Sequence, residues 1–204
     1  MKIEFYKYQG SGNDFIILDN RNHQYDFLDA NQVKKMCDRK FGIGADGLML
    51  MNAKEGYDFE MKYFNADGNA STMCGNGGRC MVKFAYNMGI HKYTYKFMAI
   101  DGEHEAEIDI HNIVRLKMCD VTHVEYHNGH AILNTGSPHF VKYVSDIMNV
   151  DVVESGRDIR ESKEFVEEGI NVNFVETTDD DAIFVRTYER GVEDETLSCG
   201  TGLT

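Results

Sequence analysis

The 204-residue chain lacks any apolar run long enough to cross a bilayer or to act as a signal peptide, and residues 1–8 alternate apolar and polar side chains. We therefore expect a cytosolic protein whose thiols stay reduced. Basic residues are scarce too: 21 Lys and Arg stand against 34 Asp and Glu, a formal net charge of −13. This balance argues against a nucleic-acid or membrane partner, because anionic surfaces need clustered cations. Proline occurs once, at Pro138, and there is no Pro/Ser-rich linker or low-complexity tract.

The cysteines also lack the pattern of a structural framework. Their number is odd and their spacing irregular, at positions 37, 74, 80, 119 and 199. Free thiols are therefore expected rather than disulfides. Cys74 and Cys80 have no matching Cys/His pair at zinc-site spacing, so no metal is expected. Cys37 and Cys80 fall on apolar faces of predicted helices and are interpreted as packed core thiols.

Apolar residues make up 42% of the chain, enough for one large domain or two small ones. Alternation predicts mostly strands, most clearly at 57–63. Two helices are predicted, one capped by Asp29 and one that starts at or just after Cys74-Gly75-Asn76-Gly77-Gly78. The other predicted strands are 15–19, 47–51, 93–99, 113–118, 131–134, 171–177 and 182–189.

Short motifs recur in the same order at nearly constant spacing. Asp14 and His139 occupy matching positions (139 − 14 = 125), and so do Cys74 and Cys199 (199 − 74 = 125). Between them, the motif that starts at Gly42 matches the one that starts at Gly169 (169 − 42 = 127). Three ordered matches indicate two copies of one unit. We expect an N-terminal half at 1–120 and a C-terminal half at 121–204, with the boundary near 120–125.

The sequence Cys-Gly-X-Gly occurs twice, at 74–77 and at 199–202, and the first copy opens a predicted helix. The first N–H groups of a helix have no partner inside it, so they form an anion site that also lowers a thiol pKa. One copy can hold a carboxylate beside a base. Two copies, brought face to face by the duplication across an interdomain cleft, would place a base and an acid on opposite sides of a carbon. That is what inverting a stereocentre requires, with one thiolate and one thiol.

At these positions the sequence resembles the diaminopimelate epimerase family. The resemblance runs in the family's order along nearly the whole chain. The matching stretches are 10–15 (GSGNDF), 39–47 (RKFGIGADG), 64–68 (FNADG), 74–80 (CGNGGRC), 136–139 (GSPH), 169–174 (GINVNF), 188–191 (YERG) and 199–202 (CGTG).

The resemblance implies an α+β fold of two pseudo-symmetric domains, each a curled, barrel-like mixed β-sheet around a central helix. It implies an isomerase that interconverts LL- and meso-diaminopimelate for lysine and peptidoglycan precursors, without pyridoxal phosphate or another cofactor. It is compatible with a homodimer, for which the sequence has no interface signature. The implied catalytic pair is Cys74 and Cys199. The implied substrate-binding residues are Gly75, Asn76, Gly200 and Thr201 at the reacting carboxylate, and Asn13, Asn65, Asn171, Glu189 and Arg190 at the distal end. Asp14 and His139 are interpreted as helping to keep the thiol pair singly ionised.

Two departures from the family pattern stand out. Ser137 occupies a position where many members have Asn, so one distal hydrogen bond is expected to be rearranged or water-mediated. The chain also ends at Thr204, two residues after the second motif, where the family continues with a helix and further strands. We expect the natural chain to be longer, which intact mass spectrometry would test.

Other functions remain open at this point. The same architecture serves proline-type racemases and phenazine-biosynthesis isomerases, but proline lacks the second amino-acid head that Glu189 and Arg190 suit, and the phenazine relatives lack the cysteine pair. A non-catalytic binding protein or a thiol redox protein is a different class. A redox protein would need a Cys74–Cys199 disulfide for its activity.

Overall fold

A computed structural model describes residues 2–178 and 182–203. The chain divides into two compact units, the first ending at Lys117 and the second beginning at Met118. The first unit contains β1 (Tyr6–Gly10), β2 (Asn13–Asp19), α1 (Ala30–Cys37), β3 (Gly47–Asn52), β4 (Phe59–Asn65), α2 (Gly75–Asn87), β5 (Thr94–Ala99), β6 (Gly102–Ile108) and β7 (Val114–Leu116). The second contains β8 (Val124–His127), β9 (His130–Asn134), β10 (Pro138–Tyr143), a 3₁₀ turn (Ile147–Asn149), α3 (Val152–Arg160), β11 (Asn171–Thr177), β12 (Ile183–Glu189) and β13 (Asp194–Thr196).

The first unit is one seven-stranded mixed sheet whose spatial order follows the sequence from β1 to β7. The pairs β2–β3 and β4–β5 are parallel, and the remaining neighbours are antiparallel. Each parallel pair needs a crossover, and the two crossovers carry α1 and α2.

Both faces of this sheet are covered, which explains why β2 reads as a continuous apolar run. Phe15 and Ile17 belong to the cluster that contains Phe84 of α2. Ile16 and Leu18 belong to the cluster that contains α1. Successive strand side chains point to opposite faces, so a strand with a helix on each side is apolar at every position.

The second unit is a six-stranded mixed sheet in the order β13-β12-β11-β10-β9-β8. Its only parallel pair among the described residues is β10–β11, and α3 lies on the crossover between them. The first unit has the same succession in β1, β2, α1, β3 and β4. The matched sequence motifs therefore occupy corresponding places: the start of β2 or β10, the approach to β3 or β11, and the segment after β4 or β12.

The expected fold class, with two mixed sheets and few helices, is confirmed. Both predicted helices are confirmed as well: Asp29 caps α1 with a complete capping box, and Gly89, with φ of 94°, follows α2. The residues from Cys199 to Leu203 form turns, and α3 packs against the second sheet. Among residues 2–178 and 182–203, no helix has the length and apolar character needed to span a membrane.

Helix α3 was not predicted from the sequence. It contains two adjacent valines and Gly156, all of which weaken helix propensity. Asp151 caps it by accepting from the N–H of Glu154, and Gly156 lets it lie close to Tyr188, since a Cβ there would stand 2.4 Å from the Cβ of Tyr188. Packing against the sheet thus outweighs weak local propensity.

Candidate active site

Cys74 is the N-cap residue of α2, with extended backbone angles of −99° and 126°. The N–H of Gly78 donates to the Cys74 carbonyl at 2.7 Å and closes the first turn, so the N–H groups of 75–77 lie at the open helix end. The helix start is packed closely against β1, because a Cβ on Gly10 would lie 3.2 Å from the Asn76 carbonyl oxygen. The first Cys-Gly-X-Gly segment therefore forms the helix start that its sequence predicts.

A polar chain fixes the amide next to Cys74. Asn13, at the start of β2 and 8% exposed, donates through Nδ2 to Oδ2 of Asp46 at 2.6 Å. A carboxylate can only accept, so the Asn13 carbonyl oxygen is the atom turned toward Cys74, whose Sγ donates to it at 3.5 Å. Asp46 also accepts from Arg39 at 2.6 Å, which balances its charge. Cys74 therefore meets an acceptor that suits its protonated form.

Asp14 belongs to the same ionic cluster. Its carboxylate accepts from Lys7 and Arg39, both at 2.7 Å. Partial burial acts to raise the pKa of Asp14, but hydrogen bonds from Arg39 and Lys7 outweigh it and lower the pKa to about 2. Asp14 therefore remains ionised near neutral pH, and its link to Cys74 passes through Asp46 and Asn13.

Asn65 is the last residue of β4 and pairs with Gly47 of β3, which in turn pairs with Phe15 of β2. Asn13 and Asn65 therefore lie at the same end of the sheet. A Cβ on Gly47 would come within 2.4 Å of the Tyr63 ring, so only glycine fits at this register position.

Cys199 lies in a turn and is 5% exposed. Burial raises the pKa of its thiol, and the nearby carboxylate of Glu189 raises it further. The hydroxyl of Thr201 and the backbone N–H groups of Thr201 and Gly202 act in the opposite direction. The Oγ1 of Thr201 lies 3.4 Å from the Cys199 sulfur. These donors offset part of the rise, and the pKa of the Cys199 thiol stays above its ordinary value.

His139 reaches Cys199 through Thr201. Its Nε2 lies 2.9 Å from the Thr201 hydroxyl, and its Nδ1 lies 2.9 Å from Nδ2 of Asn173. Burial lowers the pKa of His139 to about 4, and the positive charge of Arg190 adds to the effect. His139 is therefore neutral near pH 7, whereas Asp14, its counterpart in the repeat, is ionised.

Asn171, Ser137 and Arg190 form a second polar group in this unit. Asn171 Nδ2 donates to Ser137 Oγ at 2.9 Å, and Asn171 Oδ1 accepts from the Arg190 N–H at 2.9 Å. The Arg190 guanidinium donates to the Glu168 carbonyl at 3.0 Å and more weakly to Ser137 at 3.5 Å. Burial and neighbouring Arg160 lower the pKa of Arg190. Ser137, the departure from the family pattern, here links the two residues expected to bind a distal carboxylate.

The remaining expected site residues lie close by along the chain. Glu189 ends β12, directly before Arg190, and its charge is near enough to Cys199 to raise the thiol pKa. Gly200 and Thr201 follow Cys199 in the turn, where Thr201 is 6% exposed and its carbonyl accepts from the Thr135 hydroxyl at 2.7 Å.

Four residues that hold the expected ones were not singled out from the sequence. Asp46 accepts from Asn13 and from Arg39. Asn173 contacts His139, and Thr187 donates to Asn173. A polar residue inside an apolar strand was the available signal for Asn173, which stands in a β11 segment whose first five residues are all buried. A buried amide there has to find a hydrogen-bond partner.

Cys37 and Cys80 match their sequence interpretation as packed core thiols. Cys37 and Cys80 lie in the two hydrophobic clusters of the first unit, and burial raises the pKa of each to about 11. All five cysteines are free thiols, with Cys119 exposed. Over the described residues, no cluster of His, Cys, Asp and Glu has the geometry of a metal site.

Comparisons with known proteins place the chain among epimerases. Residues 5–124 and 131–204 match the family described as diaminopimelate epimerase. A diaminopimelate epimerase from Flavobacterium psychrophilum is 50% identical over 202 residues, covering 99% of this chain and 79% of the relative. Relatives with the same description from Chlorobaculum tepidum and Aquifex aeolicus are 48% and 42% identical, covering 77% and 79% of their own length and 95% and 99% of this chain.

Solved structures with low sequence identity share the fold. A phenazine biosynthesis protein of the PhzF family from Bacillus anthracis superposes with a TM-score of 0.75 at 13% identity, covering 100% of this chain and 78% of that one. A hydroxyproline epimerase from Agrobacterium vitis superposes with a TM-score of 0.65 at 13% identity, covering 98% and 73%. At such identities the likeness concerns architecture rather than substrate.

Proposed function

The chain belongs to the diaminopimelate epimerase family, and we propose that it interconverts LL- and meso-diaminopimelate by moving the α-proton between Cys74 and Cys199 without pyridoxal phosphate. The observation that carries this proposal is the pair of reduced cysteines, each heading a Cys-Gly-X-Gly segment. Epimerisation removes a proton from one face of the α-carbon and returns one to the other face, so it needs a base and an acid on opposite sides.

The reacting carboxylate must accept charge as the α-proton leaves. The N–H groups of Gly75 and Asn76 at the start of α2 would bind it, with those of Gly200 and Thr201 as the second set. Fixed N–H groups at a helix end stabilise charge that develops in the transition state and need little reorganisation to do so. This would replace the electron sink that pyridoxal phosphate supplies in other racemases.

The distal amino-carboxylate head of the substrate would be bound by charged and amide side chains. The Arg190 guanidinium suits a carboxylate, because its planar set of donors matches two oxygens at once. Glu189 would pair with the distal ammonium, and the side-chain amides of Asn13, Asn65 and Asn171 would complete the hydrogen bonds. A substrate with only one amino-acid head would leave Arg190 without its carboxylate.

The reaction also needs one thiol and one thiolate in each turnover. Cys74 donates to Asn13 Oδ1, which favours its thiol form. Burial and Glu189 raise the pKa of Cys199 as well, and the Thr201 hydroxyl and two backbone N–H groups offset part of that rise. We propose that His139 acts on this balance through Thr201, and Asp14 more remotely through Asp46 and Asn13. The two sulfurs exchange roles with the direction of the reaction.

The test is solvent deuterium exchange at the α-carbon of LL- and meso-diaminopimelate, followed by NMR without added pyridoxal phosphate. We expect exchange with the unaltered protein, and its loss in both Cys74→Ala and Cys199→Ala. Cys119→Ala is the matched control, because this exposed thiol lies outside the proposed site. Exchange that survives in either site variant would contradict the two-thiol mechanism. Exchange with proline but not with diaminopimelate would overturn the substrate assignment alone.

A further inference from the structure

The amide of Asn173 lies on the far side of His139 from Cys199. Asn173 is 1% exposed, and its Nδ2 lies 3.2 Å from the Phe140 carbonyl oxygen and 2.9 Å from His139 Nδ1. Its Oδ1 lies 2.9 Å from the Thr187 hydroxyl. Both hydrogens of the amide and its oxygen are therefore engaged in buried contacts.

The Phe140 carbonyl decides which way this amide points. A carbonyl oxygen can only accept, so the atom facing it must be the NH₂ group; the flipped amide would set two oxygens against each other. The second amide hydrogen then points at His139 Nδ1. Nδ1 must accept it, and the ring proton of the neutral imidazole must reside on Nε2.

The consequence passes through Thr201 to the sulfur. The His139 Nε2–H donates to Thr201 Oγ1 at 2.9 Å, so the threonine oxygen is occupied as an acceptor and its own proton is available to Cys199 Sγ at 3.4 Å. Gly202 makes room for this arrangement, because a Cβ there would stand 2.6 Å from Asn173 Oδ1 and 3.3 Å from His139 Cε1.

We propose that Asn173 is a positioning residue that fixes the Nε2–H tautomer of His139 and thereby directs the Thr201 hydroxyl proton to the sulfur of Cys199. The charged groups with an influence here are Glu189, which acts on Cys199, and Arg190, which acts on His139. The catalytic meaning of the relay rests on the proposed function, whereas the tautomer does not.

The first measurement is the tautomer of His139, read from long-range proton–nitrogen NMR on protein with ¹⁵N-labelled histidine. We expect the proton on Nε2 in the unaltered protein. In Asn173→Asp, a carboxylate oxygen replaces the amide donor, so Nδ1 should carry a proton. Thr187→Val is the matched control: it removes the contact to Asn173 Oδ1 but keeps the Phe140 carbonyl, so Nε2–H should persist. If Asn173→Asp does not fold, Asn173→Ala replaces it and should give mixed tautomers.

The second measurement is the titration of Cys199, followed by the ¹³Cβ shift of labelled cysteine, with Cys74 as the internal reference. In Asn173→Asp we expect the Cys199 midpoint to rise by about one pH unit, a roughly tenfold loss of thiolate at a given pH, while the Cys74 midpoint stays constant.

A proton on Nδ1 in the unaltered protein, or an unchanged tautomer in both Asn173 variants, overturns the proposal. A changed tautomer with an unchanged Cys199 midpoint overturns the relay to sulfur. A protein with the expected tautomer and titration but no α-proton exchange would disprove the epimerase proposal and leave this one standing.

Discussion

The two Cys-Gly-X-Gly segments have similar sequences and different surroundings. Cys74 caps the 13-residue helix α2, whereas Cys199 lies in a turn. The residue two positions after each cysteine differs in what it does: the Asn76 side chain accepts from Arg79 in the helix, and the Thr201 hydroxyl faces Cys199. The sulfur of Cys74 donates to an amide oxygen, whereas that of Cys199 is approached by donors.

This difference shows how a duplicated unit can keep its backbone and diverge in its polar contacts. Both units retain the succession of strands around the parallel pair, since hydrophobic faces and crossovers fix it. The residues that orient the neighbours of each cysteine differ. In the first unit they are the ion pair of Asp46 and Arg39, and in the second they are the neutral pair of Asn173 and His139. Two like thiols can acquire unlike hydrogen-bond partners in this way.

The largest expected effect comes from adding a methyl group three residues after each cysteine. In Gly202→Ala the new Cβ would meet Asn173 Oδ1 at 2.6 Å, whereas in Gly77→Ala its closest neighbour would be the flexible Met49 sulfur at 3.1 Å. Displacing the relay should lower α-proton exchange by roughly a hundredfold or more in Gly202→Ala. Gly77→Ala should change the unfolding free energy by no more than about 1 kcal/mol, because alanine favours the helix interior.

For Gly202→Ala, the measurements are α-proton exchange by NMR and the ¹³Cβ titration of Cys199. For Gly77→Ala, they are urea unfolding and the ¹³Cβ titration of Cys74. If the titration midpoint of Cys74 in Gly77→Ala shifted as far as that of Cys199 in Gly202→Ala, the two cysteines would not differ in the way that their contacts indicate.

As the pH falls, the second unit should lose stability at a higher pH than the first unit does. Burial holds the pKa of His139 at about 4, below its ordinary 6.5, so the folded state favours the neutral ring. The stability from this preference is complete above pH 6.5 and is lost as the pH falls through 4, by about 3 kcal/mol. The depressed pKa of Asp14, at about 2 against 3.8, contributes stability that is lost only as the pH falls from about 4 to 2.

Hydrogen exchange read by mass spectrometry, corrected for intrinsic rates, would locate the loss between neutral pH and about pH 4. We expect peptides of β10 and β11 to lose protection while those of β2 and β3 keep it. His139→Gln is the control and should remove most of the difference. Simultaneous loss in both sheets would assign acid sensitivity to another group.

A smaller effect is expected from the Thr201 hydroxyl alone. Thr201→Val keeps the side-chain shape but removes the donor to Cys199, so the pKa of that thiol should rise by about one unit, a roughly tenfold loss of thiolate. Thr201→Ser keeps the hydroxyl and should restore the original value. The ¹³Cβ titration of Cys199 measures both. Equal midpoints in the two variants would mean that the hydroxyl does not act on the sulfur.

The sequence predicted more of the fold than of the polar contacts. The alternation in β4 and the Asp29 cap are local signals, and each was confirmed. The helix α3 was missed because Gly156 and neighbouring valines hide it, and its packing against Tyr188 is a long-range contact. The interpretation of Asp14 and His139 as a matched pair came from the repeat, which gives position but not hydrogen-bond partners.

The sequence by itself determined two helices, most of the strands, the family and the two glycine-flanked thiols, because periodicity, caps and motifs act over a few neighbouring residues. Only the tertiary structure decided that Asp46 orients Asn13 across 33 positions and that Asn173 orients His139 across 34. Those contacts depend on strand register and on the direction of each buried amide. The direction is set by a carboxylate in one unit and a carbonyl in the other, which can only accept a hydrogen bond.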